Sequence, residues 1–138
     1  MKRALEILSV LLLAALLQGC SHTAEPDEAF LASNDLCLIE KGHSIHVYDP
    51  IGCQLGFSRT KKEFRVHDDK MSDYYVLTLN KIPVSAGDKV KGTLRWSGPS
   101  GVTTRQDVVF TVEKMDGEGR VWLWNSGKQI AVSVRILY

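Results

Sequence analysis

Cysteine is scarce in this chain, charge of neither sign prevails, and no apolar run is long enough to cross a bilayer. Three cysteines in 138 residues exclude a disulfide-stapled miniprotein. With 17 Lys+Arg against 16 Asp+Glu, the chain lacks the basic excess on which sequence-independent nucleic-acid binding depends, so no nucleic-acid partner is expected. Its longest uncharged apolar run, Ile7 to Leu17, rules out a polytopic membrane protein. Motifs of catalysis are missing too. There is no Gly-x-Ser-x-Gly nucleophile elbow, and Gly117-Glu118-Gly119 falls between predicted strands, where a phosphate cradle would need a helix to follow. What is present is 44% hydrophobic residues, too many for a disordered chain, in a length that suits one domain.

The first twenty residues form a recognisable address. Lys2 and Arg3 precede the apolar run, whose only polar residue is Ser9. As a helix its eleven residues reach about 16 Å, about half of a hydrocarbon core, which suits the central region of a secretory signal. The run ends in Leu17-Gln18-Gly19-Cys20, which resembles the lipobox of bacterial lipoproteins over residues 1–20. The resemblance implies cleavage after Gly19, a diacylglyceryl thioether on Cys20 and acylation of the new N-terminus. An ordinary signal peptide cut after Leu17-Gln18-Gly19 is the alternative. Ser21 follows the cysteine where an Asp would favour retention in the inner membrane, so the expected location is the outer membrane. Glu25-Pro26-Asp27-Glu28 is similar to the surface-export signals of some lipoproteins, and it also suits a solvated spacer. The domain is therefore expected to face the periplasm or the exterior.

Three segments follow from this reading: a cleaved signal over 1–19, a lipidated cysteine with a flexible acidic tether over 20–35, and one domain over 36–138. The domain holds 15 basic and 11 acidic residues, a mild excess. It is expected to be all-β. Val90, Leu94 and Trp96 alternate with Lys91, Thr93 and Arg95, and the same period of two marks Val108–Val112 and Ile130–Ile136. Further strands are predicted at 36–41, 44–48, 53–58, 63–67, 74–80 and 121–125. Asp49–Gly52, Ser97–Gly101, Asp116–Gly119 and Ser126–Gly127 supply the turns. Eight or nine short strands with short connections imply antiparallel pairing, as a small β-sandwich or a partly open β-barrel.

Candidate functional residues come from five places. Cys37 and Cys53 are the thiols that remain once Cys20 is lipidated, and in an oxidising compartment a disulfide between them is expected, the alternatives being two buried free thiols or a redox pair, which would lack the Cys-x-x-Cys spacing. His43 and His46, three apart on a predicted strand, point to opposite faces and do not make a metal site. His67-Asp68-Asp69 has the composition of a polar turn. No cofactor, metal or catalytic residue is assigned. Trp122 and Trp124 share one strand face about 6.8 Å apart, with Val121 and Leu123 on the other. They belong either to a strand covered on both sides or to an exposed platform that stacks on sugars or a partner, which Tyr74 and Tyr75 could extend. Arg59, Lys61 and Lys62 lie in a basic hairpin and complete the candidate binding surface.

The expectation is an outer-membrane lipoprotein whose non-catalytic domain binds a protein or glycan at the cell envelope. A second expectation rests on Trp122–Lys128 and Ser97–Gly101, which resemble the Trp-Ser-Lys-Gly and Ser-Gly loops of small membrane-bound lysozyme inhibitors. That family's disulfide reaches its C-terminal strand, whereas Cys37 and Cys53 both lie in the first half of this chain.

Overall fold

The computed structural model describes residues 24–70 and 72–137. The signal segment, Cys20 and Ser21 lie outside them. A short helix, α1 (Glu28–Ala32), precedes nine strands: β1 (Leu36–Glu40), β2 (His43–Tyr48), β3 (Gln54–Ser58), β4 (Glu63–His67), β5 (Tyr74–Leu79), β6 (Lys89–Gly98), β7 (Gly101–Met115), β8 (Arg120–Asn125) and β9 (Ile130–Arg135). All nine pair antiparallel in one sheet, in the order β2-β1-β9-β8-β7-β6-β5-β4-β3. The sheet curls into a half-barrel. The expected all-β antiparallel domain is therefore present, and a single curled sheet is the partly open barrel of the two arrangements considered.

Alternation explains the curl. Every strand turns its apolar set inward: Leu36 and Leu38 from β1, Tyr75, Leu77 and Leu79 from β5, and Val121 and Leu123 from β8 lie in one buried cluster. Tyr75 donates a hydrogen bond from its phenol to the carbonyl of Ser133, tying β5 to β9 through the interior at 2.9 Å. Glycine permits one close approach, since a Cβ on Gly92 would lie 2.5 Å from the carbonyl oxygen of Thr78. Nearby, Asp107 adopts φ 54° where the pairing of β6 with β7 shifts register, a bulge that tightens the curl.

The turns follow their chemistry. Lys41 and Gly42 both have positive φ, the requirement of a two-residue hairpin turn between β1 and β2. Pro99 and Ser100 close the long β6–β7 hairpin, where Gly98 pairs with Gly101. The edge strands β2 and β3 are consecutive in the chain yet stand at opposite ends of the strand order, joined by the short link 49–53.

Two expectations are corrected. Residues 24–35 are not a free leash. They carry α1, capped by the Asp27 carboxylate on the amide of Ala29, and Phe30 is 3% exposed against the outer face of the sheet. The sequence showed no period there because one turn of helix with one buried aromatic produces none. Nor are Cys37 and Cys53 joined. Both are free thiols, Cys37 in the outer apolar cluster with Phe30 and Trp122, Cys53 packed against the inner one.

Candidate functional site: the tryptophan face, the seam and the arginine groove

On β8 the inward residues Val121 and Leu123 leave Trp122 and Trp124 on the convex side, where an ordinary half-buried sheet would be polar. The chain's own N-terminal segment covers them. Trp122 donates from its indole nitrogen to the carbonyl of Phe30 at 3.1 Å, and Trp124 donates to the carbonyl of Ala24 at 3.1 Å. Lys114 reaches from β7 to the carbonyl of Leu31 at 3.1 Å. Trp122 is 1% exposed and Trp124 half-buried. The pair is thus a covered face, with residues 24–35 as the cover.

Two cations serve that cover. The Arg120 guanidinium and the Lys114 ammonium each lie 4.5 Å from the Trp122 ring centroid, within cation–π range. Arg120 is 3% exposed and donates to the carbonyl of Asp35 and, at 3.3 Å, to the Ser133 hydroxyl. Ser133 in turn donates to the Asp35 carbonyl at 3.1 Å and accepts from the Cys37 amide at 3.0 Å. Burial lowers the Arg120 pKa and raises that of the Cys37 thiol, which is thereby kept protonated and poorly nucleophilic. A hollow of about 350 Å³, bordered by Phe30, Cys37, Ile39, Val47 and Trp124, separates the cover from β1 and β2.

The remaining candidates scatter. Tyr75 is fully buried in the inner core, which removes it from the proposed binding surface. Its period-two partners Leu77 and Leu79 were the signal for that. Tyr74 is half-buried on the convex side, whereas Arg59 and Lys61 are exposed and Lys62 half-buried in the β3–β4 turn. The structure does not bring these residues together with the tryptophans.

Two clusters escaped the sequence reading. At the seam beside edge strand β2, His46 stacks on Tyr48 at 5.7 Å and on Tyr75 at 6.1 Å. Its Nδ1 pairs with the Tyr48 hydroxyl at 3.3 Å, while its buried Nε2 has no partner among the described residues. Burial lowers the His46 pKa, against Asp73, the Ser97 backbone and Asp68, and raises that of Tyr48 to about 12, with Asp73, Asp68 and Cys53 acting in the same direction. A neutral imidazole stacked between two neutral phenols packs the seam. The second cluster lies on the convex side of β4–β7. Register sets Arg65, Val76, Arg95 and Thr104 in one cross-strand row, with His67, Tyr74 and Ser97 in another and Glu63, Thr78 and Thr93 in a third. Val76 is the floor of two adjoining hollows of about 210 and 230 Å³, and Arg95 borders both. Arg65 is held by Glu63 at 2.6 Å. No single stretch of sequence contains this row, which exists only after four strands pair.

Among the described residues no group of three or more His, Cys, Asp or Glu could hold a metal ion. No described helix is long and apolar enough to cross a membrane. Comparison with protein-family models, with curated proteins and with solved structures returns no match.

Proposed function

We propose that this protein is an outer-membrane lipoprotein whose β domain binds a protein or glycan at the bacterial cell envelope and catalyses no reaction. The observation that carries the reading is Leu17-Gln18-Gly19-Cys20 at the end of a signal-length apolar run. Cys20 carries the lipid, and the membrane is the first partner. The binding surface moves from the tryptophans, which the chain covers itself, to the groove between Arg65 and Arg95. Two guanidiniums flank an apolar floor, Tyr74 offers an aromatic wall, and Thr78, Thr93 and Thr104 offer hydroxyls. Planar donors beside an aromatic ring suit carboxylate-bearing sugars or acidic side chains.

Two measurements test this. Intact mass of the membrane-extracted protein is expected to equal residues 20–138 plus three acyl chains, and an unlipidated mass would remove the anchor. Solubilised peptidoglycan and detergent-extracted envelope proteins are expected to be retained by the wild-type domain and lost on R65Q/R95Q, with its melting point unchanged. Equal retention by both proteins would dismiss the groove.

The inhibitor reading retains one support, the exposed β8–β9 turn that carries Lys128, whose backbone amide donates to the Asn125 side chain at 2.7 Å. Recovery of lysozyme on the immobilised domain, lost on Lys128→Ala, is its expected signature. No recovery disposes of it.

A further inference from the structure

The docked cover changes how the domain sits on its membrane. With 20–35 as a free leash, the domain could stand about 50 Å from the lipidated cysteine and turn in any direction. Ala24, however, is held by the Trp124 indole, and residues 28–35 are held by Trp122, Lys114, Arg120 and Ser133. Only residues 21–23 then separate Ala24 from Cys20. Four Cα steps span at most about 14 Å.

We infer that the rim of the domain around Ala24 is a membrane-apposed surface, lying on the leaflet that holds the chain's own acyl groups. The inference rests on the lipid-anchor reading and adds the partner, the contact face and the device that fixes it. The rim is made by the β1–β2 turn with Lys41 and Gly42, the β8–β9 turn with Ser126 and Lys128, and the half-buried edge of Trp124. Gly42 and Val47 border the hollow on one side of Ala24, and Ser126 and Thr111 the one on the other. Val47, 54% exposed, is an apolar spot on the far side of that hollow, and at the rim itself the indole of Trp124 has the amphipathic character favoured at a headgroup level. Glu25 and Asp27 offset Lys41 and Lys128, so the tether, and not attraction to anionic lipid, decides the orientation. The closed end of the β6–β7 hairpin lies ten residues along β7 from Thr111, the partner of Trp124. At strand rise that is about 33 Å along the strand, beyond the reach of the tether.

The test uses the full lipidated protein in phosphatidylcholine nanodiscs doped with a gadolinium-chelating lipid, read by line broadening of backbone amides. Broadening concentrated at 41–47 and 126–129, with 98–101 spared, and unchanged by added salt, is the expected result. Uniform broadening across a lipidated, disc-bound domain overturns the inference and leaves the anchor standing. A chain without acyl groups that does not join the discs overturns the anchor reading, and this inference with it. Phe30→Asp supplies the control, because it releases the cover while the inner core keeps the domain's amide dispersion. The localised broadening should then become uniform, and its persistence would show that the cover does not set the orientation.

Discussion

Trp122 shows how one side chain can hold two pieces of chain together. Its ring packs on Phe30, lies within 4.5 Å of both Arg120 and Lys114, and its nitrogen is satisfied by a carbonyl of the covering segment. Trp122→Ala should therefore cost about 3–5 kcal/mol in urea unfolding, because it opens a cavity under a buried cation. Trp124→Ala, at a half-buried site, should cost clearly less. The thiols give a second prediction at this scale. Denatured but unreduced protein that starts after Cys20 should take up two alkylating groups, and a mass two hydrogens short with no uptake would restore the disulfide.

His46 makes the third residue-scale prediction. Its folded pKa lies below the ordinary 6.5, so between the two values the unfolded chain binds a proton that the folded seam refuses. Stability should be flat with respect to this group above about pH 7 and should fall as pH drops below about 6.5. Asp73 and Asp68 oppose the shift without reversing it. His46→Phe, which keeps the stacking on Tyr48 and Tyr75, should flatten the slope of melting temperature against pH between 5 and 7. An unaltered slope would place its origin in another group.

Among the elements, β6 and β7 are the longest, and the bulge near Asp107 lets them bend without losing their inward face. Gly92 sits at the crossing with β5. Gly92→Ala should destabilise by about 1–3 kcal/mol, since the new methyl group meets backbone at 2.5 Å and cannot be relieved by a side-chain rotation. Sequence alternation named each of the nine strands to within a few residues, apart from the extended ends of β6 and β7, where Ser97–Gly101 reads as turn and 102–107 and 113–115 show no clear alternation. It could not name α1, because a five-residue helix is too short to show a period, and its stability comes from the Asp27 cap and the burial of Phe30. The Trp122–Trp124 pair was legible as a two-faced strand. Its cover was not, for the contact joins residues about ninety apart.

For the whole molecule, the order of the strands leaves β2 and β3 as edges, while β7 and β8 lie in the interior of the sheet. Amides of the edge strands should exchange with solvent well before those of β7 and β8, read by hydrogen exchange at neutral pH. Across the mouth, Glu40 of β1 holds Arg105 of β7 at 3.1 Å, and Arg105 lies 5.3 Å from the Trp96 ring. The side chains are partly exposed, so this pair is worth about 0–1 kcal/mol.

Neighbouring residues alone fixed the material of the domain, since a strand's inward face is a local period of two. The resemblance of Leu17-Gln18-Gly19-Cys20 to a lipobox is equally local, so the expectation of an envelope address could be drawn from it. Tertiary structure decided the rest. Which strand pairs with which, where the cover docks, that Tyr75 is core, that the thiols stand in separate clusters and that Arg65 meets Arg95 across Val76 all depend on contacts between distant residues. Such contacts are fixed by the closure of the sheet as a whole, through burial and hydrogen-bond satisfaction that no local window of the chain contains.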